Sequence, residues 1–275
     1  SDGTVVSKKN HEQAKTILNK ALTIDKDCLE AISMLGDISF NENKFFEAKT
    51  YFNQCYKANF KKDCYLLKLA KIAEESSQSD LQEKLLIEAT SFGDLNYRAY
   101  AEILKLKLTK SKYTDGVSTG LRAIKHYRRK LRSLRKEIYN FLKFNLFVES
   151  KDLAKEIKLV TKELASVYYQ FSQLKDLKIR KEKYINNALE LDPTHAEANF
   201  EKALILKSDG SSKCMDHLKA CINNSWYHWK ARWEYICINE EKMPNDELIS
   251  NLKIICEAHP SHQKAKLKLK TLNSA

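Results

Sequence analysis

The stretch LEAISMLGDISFNENKFFEAKTYFNQCYKANFKK, residues 29–62, decides the fold. Read in order, Leu35, Gly36 and Phe40 lie on one helix, and Phe45, Ala48, Phe52 and Cys55 lie on a second. Small residues at Gly36 and Ala48 let two helices approach closely. The large rings of Phe40, Phe45 and Phe52 fill the space around that contact. A short loop follows before the next helix.

The same pattern extends in both directions. Upstream, Ala14, Leu18 and Ala21 form the second helix of a preceding unit. Downstream, Leu66, Leu67 and Ala70 pair with Leu81, Leu85, Leu86 and Ala89. Tyr100, Ile103 and Leu104 then pair with Tyr113, Gly116, Gly120 and Ala123. Tyr184 and Ala188 precede Leu189-Glu190-Leu191-Asp192-Pro193, where proline stops the helix because it lacks an N–H and clashes with the preceding turn. The next helix opens at Ala196 with Ala198, Phe200 and Ala203, and its partner carries Met215, Leu218 and Cys221. A further pair holds Trp229, Trp233 and Tyr235, then Leu248, Leu252 and Ile255. Residues 263–272 close the array.

The order of small and large residues in 29–62 resembles the tetratricopeptide repeat, whose period is about 34 residues. The resemblance covers residues 10–272 and is strongest at 29–60 and 181–205. The tryptophan-rich unit at 226–243 is also similar to the HAT repeats of RNA-processing proteins. The resemblance implies an all-α, right-handed α-solenoid of about seven antiparallel helix pairs that binds partners and is not an enzyme. On this reading residues 1–9 are a disordered or vestigial lead-in. Residues 10–272 form one superhelical domain, cut from a longer eukaryotic intracellular scaffold or complex subunit.

Composition agrees with helices. Only six Gly and three Pro occur in 275 residues, 31% are charged and 43% apolar, which leaves few breakers for a sheet protein. A stack of repeats buries each apolar face on its neighbour, so no single core has to grow. No apolar run approaches the roughly 18 residues of a membrane helix. Seven cysteines, with no C-x-x-C, fit buried thiols in a reducing compartment, cytoplasmic or nuclear.

The period falters between Ala123 and Ala188. Ile124, Tyr127, Leu131, Leu134, Ile138 and Phe141 follow steps of three and four, which favours one long helix over about 114–147. Ser150 is placed to cap a second long helix over 151–174. An ordinary extra repeat, with Ala154 as its small residue, is the alternative. The irregular section spans about 114–175.

Charge concentrates beside this irregularity. Residues 104–136 carry Lys105, Lys107, Lys110, Lys112, Arg122, Lys125, Arg128, Arg129, Lys130, Arg132, Arg135 and Lys136 against Asp115 alone. The window's net +11 nearly equals the whole chain's +12. Like charges three and four apart on a helix repel, and a stripe that tolerates this invites a polyanion. A solvated helix face is the plain alternative, and a nuclear-localisation role for 125–136 is another. An acidic protein partner is favoured over RNA, since Tyr127, the one interleaved aromatic, falls on the apolar side. The candidate binding residues are therefore Lys105, Lys107, Arg122, Lys125, Arg128, Arg129, Arg132, Arg135 and Lys136, with Trp226 as a loop anchor. Residues 264–270 alternate lysine with apolar residues, and the repeat context makes this a helix with no assigned ligand.

Other constellations carry less. Cys214, His217 and Cys221 share one helical face, but Cys221 lies near a buried small position, so no metal is expected. The tetratricopeptide clamp for the C-terminal Asp of chaperone tails needs Lys and Asn where this chain has Ser33, Met34, Asp37, Leu66 and Leu67, so a clamp role is not expected. No Gly-rich phosphate loop, H-E-x-x-H or nucleophile elbow occurs, and the seven histidines are scattered. No catalytic residue and no cofactor is expected. The function expected is a protein-interaction scaffold with a groove for a peptide or partner helix, within a larger complex. The alternative is an RNA-binding helical-repeat array.

Overall fold

The computed structural model describes residues 2–60, 62–92, 96–109, 115–144 and 147–273. Among these residues there are fourteen α-helices and no strand, the number that seven pairs require. They form two compact units, 1–110 and 111–275. Each unit packs consecutive helices in pairs, the arrangement of an α-solenoid.

The first unit holds α1 (Asp2–Ile24), α2 (Leu29–Asn41), α3 (Phe45–Lys57), α4 (Lys62–Glu75), α5 (Ser79–Ala89) and α6 (Asn96–Thr109). Residues 2–9 belong to α1. The α2–α3 contact is the one read from the quoted stretch. A Cβ on Gly36 would sit 2.6 Å from Phe52 Cε1, so only glycine admits that ring. Ala48, Phe52 and Cys55 are fully buried. Phe52 stacks on Tyr65 of α4 at 5.4 Å, linking one repeat to the next. Burying such a ring stabilises the fold by about 2–3 kcal/mol. The turns after α2 and α4 use left-handed residues, Asn43 (φ 61°) and Ser77 (φ 56°). Past each of them a backbone N–H reaches back to the last turn, Lys44 to the Ser39 carbonyl and Gln78 to that of Ala73. That is the bonding of a Schellman stop.

The second unit holds α7 (Gly116–Lys143), α8 (Phe147–Ser172), α9 (Lys181–Leu191), α10 (Ala196–Ser208), α11 (Cys214–Asn224), α12 (Trp229–Asn239), α13 (Asn245–Ala258) and α14 (Gln263–Asn273), with 3-10 turns at Lys175–Arg180 and Glu240–Lys242. The two over-long helices are present at 28 and 26 residues and pack on each other. Ser150 is no cap: α8 begins at Phe147, so Ser150 lies inside the helix and is buried. Glycine again sets the approach. A Cβ on Gly116 would lie 2.7 Å from Leu174, and one on Gly120 would lie 2.2 Å from Phe171. Tyr113 falls outside the described residues. The lysine-alternating stretch is helical, as α14.

Histidine starts three of these helices. The Nδ1 of His195, His228 and His262 accepts the backbone N–H of Ala198, Ala231 and Ala265, at 3.2, 3.1 and 3.1 Å. An acceptor here satisfies one of the free N–H groups of the first turn. The imidazole must be neutral at Nδ1 to accept. In His195 the proton then sits on Nε2, which faces Ser166 Oγ at 3.3 Å. Burial holds the pKa of His195 and His228 below the ordinary histidine value.

This makes the unit acid-sensitive. Below the unfolded-state pKa of about 6.5 the unfolded chain binds protons that the folded caps refuse. Stability is therefore full above that pH and is lost as pH falls towards the folded-state values. The melting temperature should drop between pH 7.5 and 5.5. In a His195→Asn, His228→Asn variant, whose caps do not titrate, the drop should be smaller. An equal drop in both proteins would remove the caps as its cause.

Candidate functional site

The α7 helix is amphipathic from Gly116 to Leu134. Gly120, Ala123, Ile124, Tyr127, Leu131 and Leu134 are buried on one side. The 3.6-residue pitch puts Arg122, Lys125, Arg129, Arg132 and Lys136 on the other side, and all five are exposed. Lys130 pairs with Glu156 of α8 at 3.2 Å. Among the described residues no other cation of α7 from 122 to 136 has an ion pair. His126, between the cations, is pushed below the ordinary histidine range by burial and then by Lys125, Arg129 and Arg122.

Arg128, Arg132 and Arg135, at i, i+4 and i+7, stand at the edge of this stripe and line a groove of about 460 Å³. Leu131 of α7, Leu164 of α8 and Leu191 of α9 supply its apolar lining. Tyr168 of α8 and Asn187 and Glu190 of α9 supply its other polar groups. The Arg128 guanidinium lies 5.7 Å from the centre of the Tyr168 ring, whose other neighbour is Tyr184, stacked at 6.4 Å. Arg132 Nε donates to the Arg128 carbonyl at 3.4 Å.

Tyr168 is the unusual member. Only 3% of it is exposed, and its hydroxyl is buried, with the Arg128 guanidinium beside it as a donor and no acceptor in hydrogen-bond geometry for its own proton. Burial pushes its pKa up, with the Arg128 charge pulling the other way, so the hydroxyl is a neutral donor. Nearly all buried polar atoms are satisfied in native proteins, and an orphan calls for an explanation.

The remaining sequence candidates lie elsewhere. Lys105 and Lys107 are on α6, in the first unit, and Lys105 is paired with Glu74 at 2.9 Å. Lys110 and Lys112 fall outside the described residues. Trp226 is 53% exposed in the loop before α12 and packs edge-on against the exposed Tyr227 at 4.5 Å. Trp229 and Trp233 are partly buried, packed on His259 and His262. At the clamp positions Ser33 and Leu66 are buried, and Asp37 is ion-paired with Lys68. In the Cys214–His217–Cys221 face, His217 Nδ1 is hydrogen-bonded to Asn199 Oδ1 at 2.8 Å, and burial pushes the Cys221 thiol up to about 12.

Sequence reasoning found the three groove arginines as part of a longer stripe, and it missed Tyr168, Asn187 and Glu190. These stand 30 or more residues further along the chain than the arginines, and no local pattern marks them. It also missed the histidine caps, although H-x-x-A at 195, 228 and 262 repeats at close to the 34-residue period.

The tetratricopeptide repeat family model matches residues 6–28 and 29–62. A search of curated proteins returns no match. Among solved structures, the chain is similar to the APC/C hetero-tetramer Cut9–Hcn1, with TM-score 0.55 and 15% identity over 95% of this chain and 46% of that one. It is similar to the human IFIT1 dimer with m7Gppp-AAAA, with TM-score 0.52 and 15% identity over 96% and 59%. A third match is YrrB, described as a TPR protein with an unusual peptide-binding site, with TM-score 0.48 and 10% identity over 82% and 98%. At these identities the likeness concerns the fold alone.

Proposed function

This chain carries tetratricopeptide repeats, and from that premise we propose a non-enzymatic scaffold or complex subunit that docks an acidic segment of a partner protein. One observation carries the reading. The exposed cations of α7 have no carboxylate of their own among the described residues, while elsewhere lysines such as Lys181 and Lys202 are matched by Glu201 and Glu182 at 2.6 Å. A face left uncompensated in a chain that pairs its charges elsewhere favours a partner that supplies the negative charge. A peptide or helix is the form of partner that helix-pair arrays accommodate. The free thiols fit a reducing compartment, cytosol or nucleus. No helix among the described residues is long and apolar enough to cross a membrane.

The RNA reading rests on the same stripe and lacks exposed aromatics within it. Tyr127 is 2% exposed, and the exposed Tyr139 and Phe144 lie beyond the last stripe cation. The two readings separate when a glutamate-rich peptide and a single-stranded RNA of equal formal charge are titrated across a salt series. The peptide is expected to bind more tightly at about 0.15 M salt. Changing Arg122, Lys125 and Arg129 to Glu should weaken it by about tenfold or more. Tighter RNA binding, with a steep salt slope that flattens in the variant, would establish the RNA reading instead. Binding of neither would leave the stripe a solvated helix face.

A further inference from the structure

We propose that the groove between α7, α8 and α9 is a phosphate-monoester pocket that receives a phosphorylated serine or threonine side chain of the partner protein. The inference rests on the protein-partner reading above and deepens it, assigning the groove a ligand chemistry separate from that of the exposed stripe.

Charge sets the class of ligand. Arg128, Arg132 and Arg135 face one carboxylate, Glu190, across the groove, which leaves it with two excess positive charges at neutral pH. A carboxylate ligand would bring one negative charge and would meet Glu190 besides. A phosphate monoester brings about −1.5 to −2 and three strong acceptor oxygens. Guanidinium forks suit those oxygens in geometry, two donors to two acceptors.

The orphan hydroxyl supplies the second, independent mark of a site. Tyr168 lines the groove, is 3% exposed, and has a donor with nothing to donate to. A phosphate oxygen that draws the Arg128 guanidinium off the ring would reach the hydroxyl, which is otherwise sealed from solvent, and accept its proton. The ring cannot readily turn to find another partner, because Tyr184 is stacked on one side and Arg128 lies against it.

Size and lining favour a side chain over a nucleotide. About 460 Å³ suits a phosphorylated hydroxy-amino acid with part of its neighbours. The leucines at 131, 164 and 191 give apolar contact for the adjoining peptide. The one aromatic ring in the lining is already covered, so no face is open for a base to stack on.

The test uses the whole chain with 13C-labelled leucine methyls, so that Leu131, Leu164 and Leu191 report on the groove directly. The probes are N-acetyl-phosphoserine amide, N-acetyl-glutamate amide, N-acetyl-serine amide, inorganic phosphate and a 5′-phosphorylated tetranucleotide RNA. Phosphoserine amide should shift the three groove leucines saturably. Glutamate amide should bind about tenfold more weakly or worse, serine amide should produce no shift, and inorganic phosphate should bind more weakly than phosphoserine amide. Tyr168→Phe keeps the ring and removes only the orphan hydroxyl. It should weaken phosphoserine amide by about tenfold, the worth of one hydrogen bond to a charged group. Arg132→Gln should weaken it at least as much.

Absence of leucine shifts with phosphoserine amide, or equal binding of glutamate amide, would overturn the proposal. So would unchanged binding in Tyr168→Phe. Equal or tighter binding of inorganic phosphate would make the pocket a free-anion site, and tighter binding of the RNA would assign it to a nucleic-acid end. The variant with Glu at 122, 125 and 129 lies outside the groove lining and should keep the leucine response. Loss of acidic-peptide binding there, with the phosphoserine response intact, would separate failure of the scaffold reading from failure of this one.

Discussion

Gly120→Val is expected to destabilise the second unit by about 3 kcal/mol, the upper range for forcing added atoms into a packed site. For a unit of this size that corresponds to a fall of roughly 6–12 °C in the melting temperature. The reason is local and geometric. A Cβ at position 120 would lie 2.2 Å from Phe171 Cδ2 and 2.5 Å from Cε2, distances at which something has to move. Phe171 is fully buried, and its ring meets Tyr184 edge-on at 4.7 Å, so it has no open space to swing into. Relief requires α7 and α8 to separate along the seam that carries Leu131, Leu134 and Leu164. Phe171→Leu removes part of the obstruction. Alone it should cost about 1–2 kcal/mol, and in the Gly120→Val background it should cost much less or restore stability, a coupling above about 1 kcal/mol. Thermal melts of the four proteins, followed by circular dichroism, read both numbers. A Gly120→Val protein that melts within a degree of wild type would show that the seam is not close-packed. Gly210→Ala is the control: nothing lies within 4 Å of that Cβ, so only the left-handed φ of 68° is penalised, by about 1 kcal/mol.

That seam shows where sequence reading succeeds. Helix existence follows from steps of three and four that any local window contains, which is why the long helices were legible from Ile124, Tyr127, Leu131 and Leu134. Small residues among large ones, Gly36 with Phe52, announce a close helix contact inside one repeat. Two things resisted. Where a helix starts depends on a few tenths of a kcal/mol at each end, so Ser150 looked like a cap, although α8 begins three residues earlier. Which side chains meet across helices is a matter of packing, so Arg128 shows nothing of Tyr168, 40 residues on. The histidine caps are the intermediate case. Their spacing was available in the sequence, but histidine is not among the usual N-cap residues, so its recurrence passed as scatter.

The capping loops also explain the most unusual buried charge. Arg232 is 6% exposed, and its Nε and Nη1 donate to neutral acceptors. Its Nε donates to the Trp226 carbonyl at 3.0 Å, and its Nη1 donates to Asn251 Oδ1 at 2.6 Å. Burial lowers its pKa, but a guanidinium starts so high that the charge stays. The preceding repeat does the same work with Asn199, whose Nδ2 donates to the Pro193 carbonyl at 2.8 Å. In both repeats the residue four after the capping histidine holds the carbonyl two before it. The loop that carries Trp226 is thus tied to α12, while Asn251 ties the same arginine to α13. Arg232→Ala would take the donor from the buried Asn251 Oδ1 and from the part-buried Trp226 carbonyl and would open a cavity, and it should cost about 3 kcal/mol. Arg232→Asn, which copies position 199, should recover the loop bond and lose less, by about 1 kcal/mol. Urea unfolding measures the order directly: wild type, then Arg232→Asn, then Arg232→Ala. Equal losses in the two variants would mean that the loop carbonyl does not need this donor. A loss below about 0.5 kcal/mol in Arg232→Ala, the level of an ordinary surface change, would mean that the charge is not held as the geometry indicates.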